Sequence, residues 1–238
     1  MPLTDEKAGE LAVVRGKAAI ALPAADFAAM RAGLDRTVVD VGAGDGRAVY
    51  RLARAEPRWL VIGLDPAWQR MIEMAARSAR KPARGGAPNA LYVRGVAENP
   101  PQPLHGVADE VSVMLPWGRL LSGLVTGERA ICEGLRRMAV PGAGLDVLVG
   151  TDIWRDPVPV EIRSLPELTV ERADAVLRER FAEAGWRVDS VETMAGAEAG
   201  RLPSSWGRRL ADGTRAPRRL ADAPDAQSRF LRLTATAV

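Results

Sequence analysis

The chain has 238 residues, 47% of them apolar and 26% charged, and a net charge of +3. These values suit one compact α/β domain with modest additions and exclude global disorder. No apolar run approaches the ~18 residues of a membrane span, and one cysteine (Cys132) with one histidine (His105) excludes an internal disulfide and a cysteine/histidine metal site. The opening residues lack the basic-then-apolar pattern of a secretory leader, so the expected compartment is the cytoplasm.

In chain order, residues 12–22 hold two short apolar stretches around Arg15-Gly16-Lys17, the pattern of a β-hairpin. Residues 26–34 read as a short helix. The burst Thr37-Val-Val-Asp-Val-Gly42 reads as a buried strand. Residues 47–55 follow as a helix, 59–65 as a second buried strand, and 67–80 as an amphipathic helix ended by Pro82. Further strands are expected at 90–93, 110–115 (stopped by Pro116), 144–150, 186–191 and 230–236, and further helices at 128–138 and 170–184. Strands alternating with helices indicate a doubly wound, mostly parallel sheet. The expectation is a single domain over 1–238, with 151–170 and 195–227 as inserted linkers shaping a target site.

Charge is unevenly spread. Residues 47–84 carry nine Arg or Lys (Arg47, Arg51, Arg54, Arg58, Arg70, Arg77, Arg80, Lys81, Arg84) against Glu56, Asp65 and Glu73. Residues 201–219 carry six (Arg201, Arg208, Arg209, Arg215, Arg218, Arg219) against Asp212, and the remainder is acidic. Arg outnumbers Lys 30 to 3, so compositional bias explains the choice of arginine, but it does not explain the clustering. Two basic segments on an acidic chain suit a face that meets a polyanion such as nucleic acid. Arg70, Arg77 and Lys81 are spaced i, i+7, i+11, which puts them on one stripe of a helix, with Arg80 and Arg84 near it. Any one of these arginines could equally belong to a solvated helix face.

The sharpest motif is Asp40-Val-Gly42-Ala-Gly44-Asp-Gly46, between the first parallel strand and its helix. Glycines there let the backbone turn tightly and approach a ligand closely. Asp65, at the end of the next strand, can accept hydrogen bonds from both hydroxyls of a ribose. Together they indicate an adenosine-containing cofactor. A dinucleotide fold would show G-x-G-x-x-G aimed at a pyrophosphate. Here the spacing is G-x-G-x-G with acids at Asp40 and Asp45, which suits a ligand bearing a sulfonium and an ammonium better than one bearing phosphates. The loop resembles motif I of class I S-adenosylmethionine-dependent methyltransferases, which have a Rossmann-like fold with a seven-stranded, mostly parallel sheet; here an N-terminal β-hairpin would be added. In that class Glu98 stands where the adenine is often contacted, although a solvated loop acid reads the same.

Six of the eleven aromatic residues are tryptophans. Trp59 and Trp186 lie at strand starts and read as core; Trp68 and Trp154 stay open. Trp117 follows Met114-Leu-Pro116 at a strand end, where this fold places the methyl acceptor. Leu-Pro-Trp is an imperfect match to the D/N-P-P-Y/F ending of adenine amino-group methyltransferases. It lacks the polar residue that accepts the amino protons, so the acceptor atom should already carry a free lone pair. Trp206 lies in the cationic stretch Pro203-Ser-Ser-Trp-Gly-Arg-Arg209, an unusual place for an indole that only packs. Two such rings could hold an extruded base from both faces.

Leu115-Pro-Trp-Gly-x-Leu-Leu121, Ser204-Ser-Trp206 with Arg208-Arg-Leu210, and the glycine loop together make the chain similar to the aminoglycoside-resistance 16S rRNA (adenine-N1) methyltransferases of the KamB/NpmA type. The resemblance runs from about Val13 to the end. It implies S-adenosylmethionine-dependent methylation of N1 of adenosine 1408 in the decoding site of an assembled 30S subunit. It further implies a flipped adenine between Trp117 and Trp206, with Pro116 and Ser204 at the pocket wall. The cofactor pocket would be lined by Asp40, Gly42, Gly44, Asp65, Ala97, Glu98, Leu115 and Leu120. Arg209 would contact distorted RNA backbone beside the target, and Arg70, Arg77, Arg80, Lys81, Arg84, Arg208 and Arg215 would meet phosphates. Family members often have Ser or Thr where this chain has Arg119.

The chemistry agrees with that resemblance. N1 of neutral adenine carries an unshared pair and no proton, so transfer needs no base, and no Ser/His/Asp set is evident. His105 reads as a loop residue and Cys132 as a structural residue on an amphipathic helix rather than a nucleophile. A monomer would fit a ribosome-docking surface. A small-molecule methyltransferase, or a non-catalytic RNA-binding module on the same scaffold, would be the alternatives.

Overall fold

A computed structural model describes residues 9–195 and 230–238. The described strands form one nine-stranded sheet in the order β2-β1-β5-β4-β3-β6-β7-β9-β8. They are β1 (Glu10–Arg15), β2 (Ala18–Pro23), β3 (Arg36–Val41), β4 (Trp59–Leu64), β5 (Ala90–Val93), β6 (Ala108–Met114), β7 (Ala139–Gly150), β8 (Trp186–Met194) and β9 (Phe230–Ala237). The five strands β5-β4-β3-β6-β7 are parallel, and β9 and β8 complete a seven-stranded unit by antiparallel pairing. The hairpin β1-β2 is not a separate appendage. It pairs antiparallel with β5 through Val13 and Val93 and covers what would be an exposed sheet edge.

Helices cover both faces. On one, α2 (Arg47–Ala55), α3 (Ile72–Ser78) and the 3₁₀ turn before α3 bury Val49, Tyr50, Met71 and Met74 against Val61 and Tyr92. On the other, α1 (Ala24–Ala32), α4 (Gly118–Thr126), α5 (Arg129–Met138) and α7 (Arg178–Glu183) pack on the Val, Leu and Ile side chains of β3, β4, β6 and β7. These central strands are buried on both faces, which is why they read as continuous apolar runs rather than alternating ones. Trp186 is fully buried and its indole donates to the Cys132 carbonyl at 3.2 Å. Cys132 is itself fully buried, and desolvation pushes its thiol up to about 12, so it is no nucleophile at neutral pH.

Three elements differ from the sequence expectations. The helix expected over 67–80 is a 3₁₀ turn (Trp68–Met71) followed by the shorter α3, and Lys81 lies beyond it. The arginine stripe is therefore not one straight helix face, because a 3₁₀ turn advances by a different angle per residue. Helix α4 was not anticipated: its two glycines lower helix propensity. Gly123 is there for packing, since a Cβ would lie 2.5 Å from Cγ1 of Ile131 on α5. Between β7 and α7 the chain makes 3₁₀ turns at Thr151–Trp154 and Val160–Ile162. The helix expected over 170–184 then runs as α6 (Val170–Arg172), a π-helical turn (Ala173–Leu177) and α7.

Asn89, just before β5 and only 7% exposed, donates its amide to the carbonyls of Ala53, Glu56 and Trp59 at 2.9, 3.0 and 2.8 Å. It ties the end of α2 to the start of β4. Removing it strands buried acceptors at about 1–3 kcal/mol each. Urea unfolding of Asn89→Ala should show a loss of about 2 kcal/mol or more.

Candidate active site

The loops after β3, β4, β5 and β6 converge at the carboxyl ends of the parallel strands, where this topology places its ligands. They enclose a cleft of about 370 Å³, a volume suited to a nucleoside-sized molecule. One side is backbone: Gly42 and Gly44 line it with φ of +76° and +59°, a conformation that side chains rarely adopt. A Cβ on Gly42 would also come within 2.9 Å of Leu120, across the cleft.

Asp65, after β4, is 8% exposed and lines the cleft. Its Oδ2 accepts from the backbone N–H of Gly44 at 2.8 Å and its Oδ1 from that of Ala67 at 2.7 Å. Each carboxylate oxygen has a second lone pair left for a ligand hydroxyl. Ala97 and Glu98 form another wall, held from outside by α5. Arg137 donates to the Glu98 carbonyl at 2.7 Å, and Gly134 packs so closely that a Cβ would sit 1.8 Å from the Ala97 carbonyl oxygen. Nothing in the sequence flagged Arg137; a glycine inside the predicted helix 128–138 was the available hint.

The last wall comes from β6. Leu115 has φ +53°, the only positive φ outside glycine among the described residues. Its side chain packs with Met114, Leu148, Met194 and Phe230, and its N–H donates to the Leu148 carbonyl at 2.8 Å. Anchoring of that kind is what over-determines a strained backbone. The resulting bend brings buried Pro116 and Trp117 onto the cleft, with the Trp117 indole 52% exposed.

Of the expected cofactor residues, Gly42, Gly44, Asp65, Ala97, Glu98, Leu115 and Leu120 line this cleft together. Asp40 does not. Strand alternation turns it away from Val41 and into a second cavity of about 280 Å³ beneath α2. There it is 6% exposed, Ser112 donates to its Oδ1 at 3.0 Å, and its Oδ2 has no partner among the described residues. Arg119 lines the cleft and directs its guanidinium to Glu128, with Glu98 3.8 Å away. Arg70 also lines the cleft. Trp59 and Trp68 pack against the core under α2, Trp154 donates to the Leu165 carbonyl, and His105 sits in a turn against the Pro100 carbonyl. Ser204, Trp206, Arg208, Arg209 and Arg215 lie outside the described residues.

The basic segment divides. Arg47 pairs with Asp45 and Glu73, Arg58 with Asp35, and Arg54 bonds backbone carbonyls. Arg70, Arg77, Arg80, Lys81 and Arg84 are exposed, and none pairs with a carboxylate among the described residues.

A family model described as 16S rRNA (adenine(1408)-N(1))-methyltransferase, of the NpmA type, matches residues 12–223. The chain belongs to this family. A member from Streptoalloteichus hindustanus is 41% identical over 197 residues, covering 83% of this chain and 90% of its own. Among solved structures, a variant of the 16S rRNA (adenine(1408)-N(1))-methyltransferase of Catenulisporales acidiphilia, crystallised with the cosubstrate S-adenosylmethionine, is 47% identical with a TM-score of 0.83. The match covers 96% of this chain and 97% of that one. The 16S rRNA methyltransferase KamB is 36% identical with a TM-score of 0.79, over 96% and 99% of the two chains.

The cleft fits the cofactor of this family. Side-chain-free backbone at Gly42 and Gly44 leaves room for close approach, Asp65 offers acceptors for ribose hydroxyls, and Glu98 beside Ala97 and Leu120 offers an acceptor next to an apolar slot.

Burial raises the Asp40 carboxyl to about 7, opposed by the Ser112 hydrogen bond and aided by the charge of Asp65. Between its ordinary 3.8 and about 7 the folded chain keeps a proton that the unfolded chain has released, so stability falls as pH rises through that window. Asp40→Asn should flatten this part of the curve and be the more stable protein at pH 8, as measured by urea unfolding without cofactor.

Proposed function

We propose that this chain methylates N1 of adenosine 1408 in the decoding site of 16S rRNA within the 30S subunit, using S-adenosylmethionine, and so confers aminoglycoside resistance. The observation that carries this reading is a cleft built for an adenosine-bearing cofactor with a half-exposed indole at its mouth, in a chain of this family. When bound, the cofactor supplies a methyl group on a positively charged sulfur.

Asp65 and Glu98 hold the ribose and purine ends through hydrogen bonds, and Gly42 and Gly44 let the backbone close on them. Pro116 and Trp117 form the acceptor side. The Trp117 ring offers a flat face on which an extruded adenine stacks, and that π face also favours a purine gaining positive charge as its N1 is alkylated. Ser204 and Trp206 complete the acceptor pocket. No side chain needs to remove a proton, because N1 attacks through a lone pair it already has. The work of the chain is to hold that lone pair in line and exclude other nucleophiles.

Arg70, Arg77, Arg80, Lys81 and Arg84, with Arg208, Arg209 and Arg215, neutralise phosphates of the folded rRNA. Phosphate contacts set position, and the stacked base with the shape of the RNA sets specificity. No helix among the described residues is long and apolar enough to cross a membrane. The protein acts as a cytoplasmic monomer docking on the ribosomal subunit.

Incubation with 30S subunits and methyl-labelled cofactor should place label on adenosine 1408 as an N1 methyl group that stops primer extension. Absence of label at that nucleotide would overturn the assignment. Trp117→Ala should lower the methylation rate roughly 5- to 150-fold, since a lost base stack costs about 1–3 kcal/mol, while calorimetry shows cofactor affinity nearly unchanged.

A further inference from the structure

Between α3 and β5 the chain makes a compact cationic turn. Within it, the N–H groups of Arg84 and Gly86 donate to the Lys81 carbonyl at 2.8 and 3.1 Å, that of Gly85 to Pro82 at 3.0 Å, and that of Ala87 to Ser78 at 2.9 Å. Gly86 presses so closely on the preceding chain that a Cβ there would lie 1.7 Å from the Arg80 carbonyl oxygen. The turn is then clamped from α2 by two side chains one helical turn apart. Tyr50 donates its hydroxyl to the Gly85 carbonyl at 2.7 Å, and Arg54 donates to the carbonyls of Pro82 and Gly86 at 3.3 and 3.2 Å. The Tyr50 ring carries a second load: the Arg77 guanidinium lies over it, 4.7 Å from the centroid. The ring is 9% exposed, while Arg77, Arg80, Lys81 and Arg84 are all exposed.

We infer that Tyr50 and Arg54 are positioning residues for ribosomal RNA: they fix Arg77 and the turn bearing Arg80, Lys81 and Arg84 as a preformed cationic platform for the phosphate backbone. The inference rests on the docking role given to those cations above. A loose basic loop would lose conformational freedom on meeting the RNA, and each long side chain immobilised at an interface costs affinity. Here the backbone is already closed by its own hydrogen bonds, and one of the four cations is already seated on an aromatic ring. Arg54 lies inside the basic segment, yet its guanidinium serves the backbone of the turn. Tyr50 carries no charge at all, so it influences phosphate binding only through the groups it holds.

That neutrality makes the test sharp. Affinity for a polyanion falls with salt in proportion to the number of phosphates neutralised. For 30S subunits as substrate, Tyr50→Leu should raise KM roughly 3- to 10-fold and make its salt dependence shallower, by about one power of salt for each cation released, with kcat and the calorimetric Kd for S-adenosylmethionine unchanged. Tyr50→Phe keeps the ring under Arg77 and loses only the Gly85 bond, so it should fall between the parent and Tyr50→Leu. If Tyr50→Leu fails to bind cofactor and so is misfolded, Tyr50→Phe and Arg54→Gln carry the same measurement. Parental KM and parental salt dependence in the folded variants would overturn the inference. The triple variant Arg80→Ala, Lys81→Ala, Arg84→Ala separates the two levels. If it raises KM while the Tyr50 and Arg54 variants do not, the cations dock but need no positioning. If it too leaves KM unchanged, the docking role falls and the inference with it.

Discussion

Two hydrogen bonds accepted by one carboxylate hold the cleft open in its working shape. Asp65 takes the N–H of Gly44 on one oxygen and that of Ala67 on the other, so the loops after β3 and β4 are fixed to each other as well as to their strands. A glycine-rich loop has little of its own to hold it; its freedom of φ is also a freedom to wander. The same acid that offers acceptors to a ribose therefore sets the backbone that the ligand must approach. In the role proposed for it, binding and architecture are not separable at this residue, and a variant lacking it loses both at once.

The other walls obey the same logic of support from outside. The turn at Ala97 and Glu98 leans on α5 through Gly134 and Arg137. Trp117 stands on a bend that a leucine makes in a conformation few leucines adopt, held by four apolar neighbours. The chemistry asks for no proton shuttle, so the fold spends its precision on placement. Its titratable oddity, Asp40, is outside the cleft and bears on stability through the strand that carries the glycine loop.

Much of this was legible in the amino-acid sequence because the central strands are buried on both faces and are bounded by glycine, aspartate or proline. The glycine loop, Asp65 and the Leu-Pro-Trp ending all sit at strand ends, where topology alone brings them together. What escaped detection depends on packing. Helix α4 carries two glycines that propensity disfavours, one of which, Gly123, helix–helix contact requires. The break between the 3₁₀ turn and α3 leaves the apolar pattern of 67–80 intact while changing where Arg70 points. Asp40 follows the motif faithfully, yet one step of strand alternation sends it to the other face. Arg54 reads as one more basic residue until its carbonyl partners are seen.

The apolar knot under Leu115 has a mechanical meaning. Met194 closes β8 and Phe230 opens β9, and both are members of that knot with Met114 and Leu148. Both strand ends are therefore rooted in the pedestal on which Trp117 stands. A disturbance at the end of β8 or the start of β9 is therefore felt at Trp117, so these two strand ends and the bend that carries the indole share one foundation.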